Sequence, residues 1–264
     1  MITCKLVGGL GNQLFQIANC IAYCKRYGFE YQIPQTLGDY KKYAIYMKHL
    51  PVLTSKFEDF GYLYEQGFTY REIPKREQVC LIGYFQSWKY FWDQKEEVFA
   101  KIREGFSQIE LLKIPYDYTG RVSVHVRRGD YVEYRDIHPP VTLEYIKKAV
   151  TYLNDRGYYR YTVYSDDIDW CRENMGEEFF PGCVFEFVSS TFDDPVKDAL
   201  FDMYTMSRHD HQIISNSTFS LWAALLNTDP EKIVVAPANG NWFGADTEYD
   251  AIDIMPDNYI RIAY

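Results

Sequence analysis

The chain has 264 residues, 47% hydrophobic and 25% charged, enough for one large or two small domains with ordinary cores. A net charge of −9 excludes a nucleic-acid partner, which needs a basic face, and electrostatic adhesion to an anionic membrane. No stretch approaches the ~20 apolar residues that span a bilayer. The opening MITCKLVGGLGNQ lacks the apolar run of a secretory leader, so a cytoplasmic protein with at most peripheral membrane association is expected. Cys4, Cys20, Cys24, Cys80, Cys171 and Cys183 show neither CxxC pairs nor zinc spacing and read as reduced, mostly buried thiols. The 25 tyrosines fill cores and edges, or offer flat faces to sugars.

In chain order, Ile2 to Val7 reads as a short strand, followed by GGLGNQ and a helix from about Asn12 to Tyr27. Leu14, Ile17, Ala18 and Ile21 give that helix its apolar face. Glu30 to Pro34 reads as a second strand, and residues 35–78 are weakly patterned. Val79 to Phe85 is a strand and Trp88 to about Phe106 a helix. Strands then follow at 121–127, 159–165, 183–188, 211–215 and 232–236, with helices at about 142–156, 167–175, 194–208 and 218–227 between them. Strands separated by helices imply βαβ units and parallel sheets. Pro115, within 114–119, marks the boundary between two Rossmann-like halves, residues 1–118 and 119–264. A cleft between the halves is expected, with ligands beyond the carboxyl ends of the strands.

Four stretches could carry chemistry. In GGLGNQ, Gly9, Gly11, Asn12 and Gln13 lie between strand and helix, where glycines permit close approach and a helix start offers amides to an anion. A plain structural turn uses the same residues. In HVRRGDY, His125 and Arg127 project to one side of a strand that ends in Arg128, Gly129 and Asp130. A guanidinium suits bidentate phosphate capture, and two arginines against the single carboxylate of Asp130 leave a positive surplus that favours an anion site over an ion pair. In SNSTF, Ser217 or Thr218 fits a helix N-cap, so hydroxyls and first-turn amides, Phe219 included, make a second cradle. In YSDDIDW, Asp167 and Asp169 spell DxD, which can hold a divalent metal on a nucleotide diphosphate but here opens a helix, where capping is the favoured role. His209 and His211 flank Asp210 and read as a solvated loop, the alternative being a metal site.

Together, GGLGNQLFQ at 8–16, HVRRGDY at 125–131, YSDD at 164–167 and SNSTFSLWAALL at 215–226 resemble the bacterial α-1,2-fucosyltransferases, glycosyltransferase family 11, within the enzymes that carry HxRRxD. The resemblance implies an α/β GT-B-like fold, with an acceptor-side N-terminal half and a donor-binding C-terminal half. The implied reaction moves L-fucose from GDP-β-L-fucose to the 2-hydroxyl of a terminal galactose, inverting, without cofactor or metal. It implies that Arg127 binds the donor pyrophosphate and that His125 helps hold the guanosine side. Ser217, Thr218 and Phe219 would line the phosphate site, with Arg128 and Asp166 beside it. Asp202, on FDMYTMS, would read the guanine N1–H and N2 amine; by its own pattern it is one polar residue on an amphipathic helix. For the base that takes the acceptor proton, Asp130 comes first, with Glu133, Asp136 and His138 as rivals. Asp130 could instead orient Arg128.

Overall fold

The computed structural model describes residues 1–35, 48–107, 117–189 and 191–264. The expected boundary at Ile114 and Pro115, and part of the weakly patterned stretch, lie outside these. The chain forms two compact units, Met1–Ile114 with Ile252–Pro256, and Pro115–Ala251 with Asp257–Tyr264.

The first unit holds a three-stranded parallel sheet of β1 (Ile2–Cys4), β2 (Gly61–Tyr64) and β3 (Val79–Ile82), in the order β1-β3-β2. Helix α1 (Leu10–Tyr27) follows β1, and Lys25 and Arg26 in its last turn complement the dipole. Strand β2 rises from the weakly patterned stretch. Its residues are mostly exposed at a sheet edge, so no buried alternation announces it. The expected strand at Glu30 to Pro34 shrinks to isolated bridges, Ile2 with Tyr31 and Ile33 with Val52.

The expected helix from Trp88 is broken. Two 3₁₀ turns, Trp88–Tyr90 and Trp92–Gln94, precede α2 (Lys95–Ser107). The break falls at Phe91, whose backbone is non-helical (φ −130°, ψ 0°), and there Arg26 donates to the Tyr90 carbonyl (3.1 Å) and clasps Asp93 (2.6 and 2.8 Å). That carbonyl would serve the Gln94 N–H in a continuous helix; Gln94 bonds to Phe91 instead.

The second unit is a six-stranded parallel sheet of β4 (Val122–Val126), β5 (Arg160–Ser165), β6 (Val184–Phe187), β7 (His211–Ile213), β8 (Val234–Pro237) and β9 (Ile260–Ile262). Its helices are α3 (Gly129–Glu133), α4 (Leu143–Asn154), α5 (Ile168–Asn174), α6 (Pro195–Met206) and α7 (Thr218–Leu226). Thr142, Asp167, Asp194 and Ser217 cap α4 to α7, each accepting a first-turn N–H. The spatial order β6-β5-β4-β7-β8-β9 is 3-2-1-4-5-6 within the unit, so strand order reverses between β4 and β7. Val122, Val124 and Val126 face a core with Tyr145, Ile146, Ala149, Val150 and Leu153 of α4.

All six cysteines are unpaired, five of them buried. No helix among the described residues is long and apolar enough to cross a membrane.

Candidate active site at the strand-order reversal

At the reversal, β4 delivers His125 and Arg127, and β7 leads into SNSTF and the start of α7. His125 is buried, with its Nδ1 2.7 Å from the Ser215 Oγ and its ring 5.4 Å from that of Phe219. Burial, with the Arg127 charge second, pushes its pKa down to about 3, so the imidazole is neutral at physiological pH.

Arg127 donates through Nη2 to Asp130 (2.6 Å) and through Nη1 to Asp166 (2.8 Å), with its side chain 35% exposed. Those pairs use two of five guanidinium donors. Arg128 donates through Nε to Asp167 (3.0 Å) and lies 4.0 Å over the Trp170 ring, while its backbone N–H bonds to Asp166 (2.8 Å). Gly129 leaves room for Asp166, because a Cβ there would collide with its carboxylate. The positive surplus read from sequence is therefore corrected. Two arginines meet three carboxylates, Asp130, Asp166 and Asp167, because the turn after β5 folds back on the turn after β4. Asp130 orients Arg127, not Arg128.

Each residue of SNST has a local task. The Tyr145 hydroxyl takes the Ile214 carbonyl at 2.6 Å, anchoring the chain as β7 ends. Asn216 donates to the carbonyls of Pro139 (2.8 Å) and Trp242 (3.0 Å), and its own carbonyl accepts from the Tyr131 hydroxyl (3.2 Å). Ser217 is the N-cap, its Oγ accepting the Phe219 N–H at 3.3 Å, so that amide is engaged by the cap. Thr218 opens α7. Ser215, Asn216 and Tyr131 are the residues that sequence reasoning missed. Ser215 and Asn216 stand inside the quoted motif, but a partner 90 residues away, as His125 is from Ser215, leaves no local signal.

The four base candidates lie on α3 and the loop after it. Asp130, Glu133 and Asp136 are exposed, and Asp130 is held in its pair with Arg127. His138 stacks on Tyr131 at 4.9 Å, and burial lowers its pKa. Asp202 sits half-buried on α6, its pKa raised to about 7 by burial first and by the charge of Asp198 second.

The histidines flanking Asp210 are buried, correcting the expected solvated loop. His209 Nδ1 contacts the Thr205 carbonyl (2.9 Å), and His211 Nδ1 accepts the Ile233 N–H (3.0 Å). Asp167 caps α5, and Asp169 pairs with Arg172 at 2.7 Å. Among the described residues no group of three or more His, Cys, Asp or Glu is placed to hold a metal.

GGLGNQ belongs to the first unit. Gly8 takes a positive φ of 78°, and Gly8 and Gly9 are exposed. Gly11 is buried in α1. Gln13 turns inward and donates to the Gly8 carbonyl (3.0 Å), so it shapes the loop. Asn12 Oδ1 accepts from Gln86 Nε2 (2.9 Å).

The family model for Glycosyl transferase family 11 matches residues 39–255. An Escherichia coli alpha-1,2-colitosyltransferase is 29% identical over 99% of both chains. Galactoside alpha-(1,2)-fucosyltransferase 2 of Hylobates lar is 29% identical over 98% of this chain and 74% of its own. Among solved structures, an Arabidopsis thaliana FUT1 mutant in complex with GDP superposes with a TM-score of 0.55 at 12% identity, covering 97% of this chain and 74% of that one. That likeness concerns the fold, which is α/β and GT-B-like.

Proposed function

The chain belongs to glycosyl transferase family 11, and from that premise we propose that it moves L-fucose from GDP-β-L-fucose to the 2-hydroxyl of a terminal galactose, inverting the anomeric carbon. The observation that carries the reading is the reversal between β4 and β7, which gathers His125, Arg127, Ser217 and Thr218 where an open α/β sheet binds nucleotides. The names of the relatives support α-1,2 transfer, and the plant structure of like fold is in complex with GDP.

Breaking the sugar–phosphate bond leaves negative charge on GDP and positive character on the sugar ring. Arg127 keeps three donors beyond its ion pairs, enough to meet the departing diphosphate oxygens. The first turn of α7 and the Thr218 hydroxyl add the helix-start field. Arg128, clasped by Asp167 and Trp170, holds the two turns together and leaves the diphosphate to Arg127. Neutral His125, fixed by Ser215, presents a polar edge on the nucleoside side. The Asp202 carboxylate fits the paired donors of guanine. Fixed arginine charge and helix amides do the work of a metal, so no metal is required. Asp130 is the proposed base, its carboxylate oriented by the pair it makes with Arg127.

A second donor, GDP-colitose, is favoured by the Escherichia coli relative that matches end to end. Colitose is fucose without one ring hydroxyl, so the chemistry at the anomeric carbon is shared. The test is transfer from each GDP-sugar to lactose in excess EDTA, with the linkage read by NMR. An α-1,2 product from GDP-L-fucose bears out the reading. Transfer from the colitose donor alone replaces the sugar, and turnover only after Mn²⁺ is restored overturns metal independence. Binding of GDP without turnover of either sugar would make the chain a binding protein.

A further inference from the structure

Glu65 stands one residue past the end of β2. Its Oε2 accepts two successive backbone N–H groups, from Tyr84 (2.7 Å) and Phe85 (2.9 Å), in the loop after β3. The loop is shaped to receive it. A Cβ on Gly83 would collide with the Glu65 side chain, and Phe85 adopts a φ of +52°, where a bulky residue is strained unless its surroundings impose it. Burial pushes the Glu65 carboxyl up to about 7, while the bonds from the Phe85 and Tyr84 N–H groups favour its charged form. One residue beyond Phe85, Gln86 donates from Nε2 to Asn12 Oδ1 at 2.9 Å. Asn12 in turn abuts Gly8, at the bend of the GGLGNQ loop.

A chain of contacts therefore runs along the carboxyl edge of the first unit's sheet, from the end of β2 through the loop after β3 to the loop after β1. We propose that Glu65 is a positioning residue for Asn12: its carboxylate fixes the Gly83–Gln86 loop, and Gln86 then sets the side chain of Asn12 in the glycine-rich loop. This rests on the proposed transferase reading, and takes the glycine-rich loop, whose helix start offers amides to an anion, as contributing to turnover. Glu65 touches no substrate in this scheme and acts only through Gln86.

The test is a double-mutant cycle on Glu65→Ala and Asn12→Ala, reading KM and kcat for GDP-L-fucose with lactose. Each single change is expected to lower kcat/KM by about tenfold, roughly 1.4 kcal/mol, and the double variant to be no worse than either, since both break one chain. Glu65→Gln keeps an oxygen for both N–H groups and is expected to restore near wild-type values. If Glu65→Ala fails to fold, Gln86→Ala cuts the same chain at its half-buried end. Hydrogen exchange at residues 8–13 is read in parallel and should speed up in Glu65→Ala or Gln86→Ala. Additive losses, a Glu65→Gln variant as impaired as Glu65→Ala, or unchanged exchange at 8–13 would each overturn the proposal. A wild-type protein that neither transfers nor hydrolyses GDP-L-fucose would sink the functional reading instead, and the exchange result would still decide whether Glu65 positions the loop.

Discussion

Replacing Arg127 by lysine keeps the charge and removes the fork. The guanidinium spreads its terminal nitrogens over two carboxylates, Asp130 at 2.6 Å and Asp166 at 2.8 Å, while donors remain for a diphosphate. A single ammonium can hold one carboxylate or the ligand, and it lacks the planar geometry. Exposed ion pairs contribute about 0.2–1 kcal/mol each. Losing one should therefore lower Tm by no more than a few degrees, at about 2–4 °C per kcal/mol for domains somewhat smaller than this chain. Losing a positioned stabiliser of developing charge costs about 10²–10³ in rate, roughly 2.7–4 kcal/mol. The catalytic loss in Arg127→Lys should thus exceed the stability loss several-fold, and Arg127→Ala should lose at least as much rate. The assay is kcat and KM for GDP-L-fucose with lactose, beside thermal unfolding of the same samples. A variant within tenfold of wild-type kcat, or one whose Tm collapses while the surviving folded protein turns over normally, would refute this role for Arg127.

Asp130→Asn separates base from counter-ion: as base, its loss abolishes transfer while GDP binding, freed of a competing carboxylate, tightens about two- to fivefold; retained transfer passes the role to Glu133, Asp136 or His138. Gly129→Ala should push the Asp166 carboxylate aside, lowering kcat/KM for the donor with the circular dichroism unchanged. Ser217→Ala removes the N-cap of α7 and should cost about 1 kcal/mol in urea unfolding. The folded pKa of Asp202 is raised, from 3.8 to about 7, so the native state retains a proton that the unfolded chain has lost across that window. Stability attributable to Asp202 therefore falls as pH rises through the window. Asp202→Asn should match wild type near pH 4 and be the more stable protein near pH 8, while losing GDP affinity. Equal stability at both pH values would count against a buried carboxyl there.

What the sequence by itself determined is what depends on near neighbours. Alternation marked β4, the strand–helix sequence from 121 to 236 implied parallel βαβ units, and Asp167 and Ser217 announced the helix starts they cap, because a cap acts over three residues. The motifs also named the turns where His125, Arg127 and Ser217 stand. Other features were open until the chain folded. The expected helix at Trp88 breaks where Arg26, 64 residues away, meets the Tyr90 carbonyl. The edge strand β2 and the last strand β9 lack a buried face to declare them. The charge state of the arginine site was misjudged from sequence because Asp166 and Asp167 reach Arg128 across 38 and 39 residues. Only the insertion of β4 between β5 and β7 sets the turn after each strand beside the next. Strand pairing is a long-range choice made by burial on both faces of the sheet, and local periodicity carries no record of it.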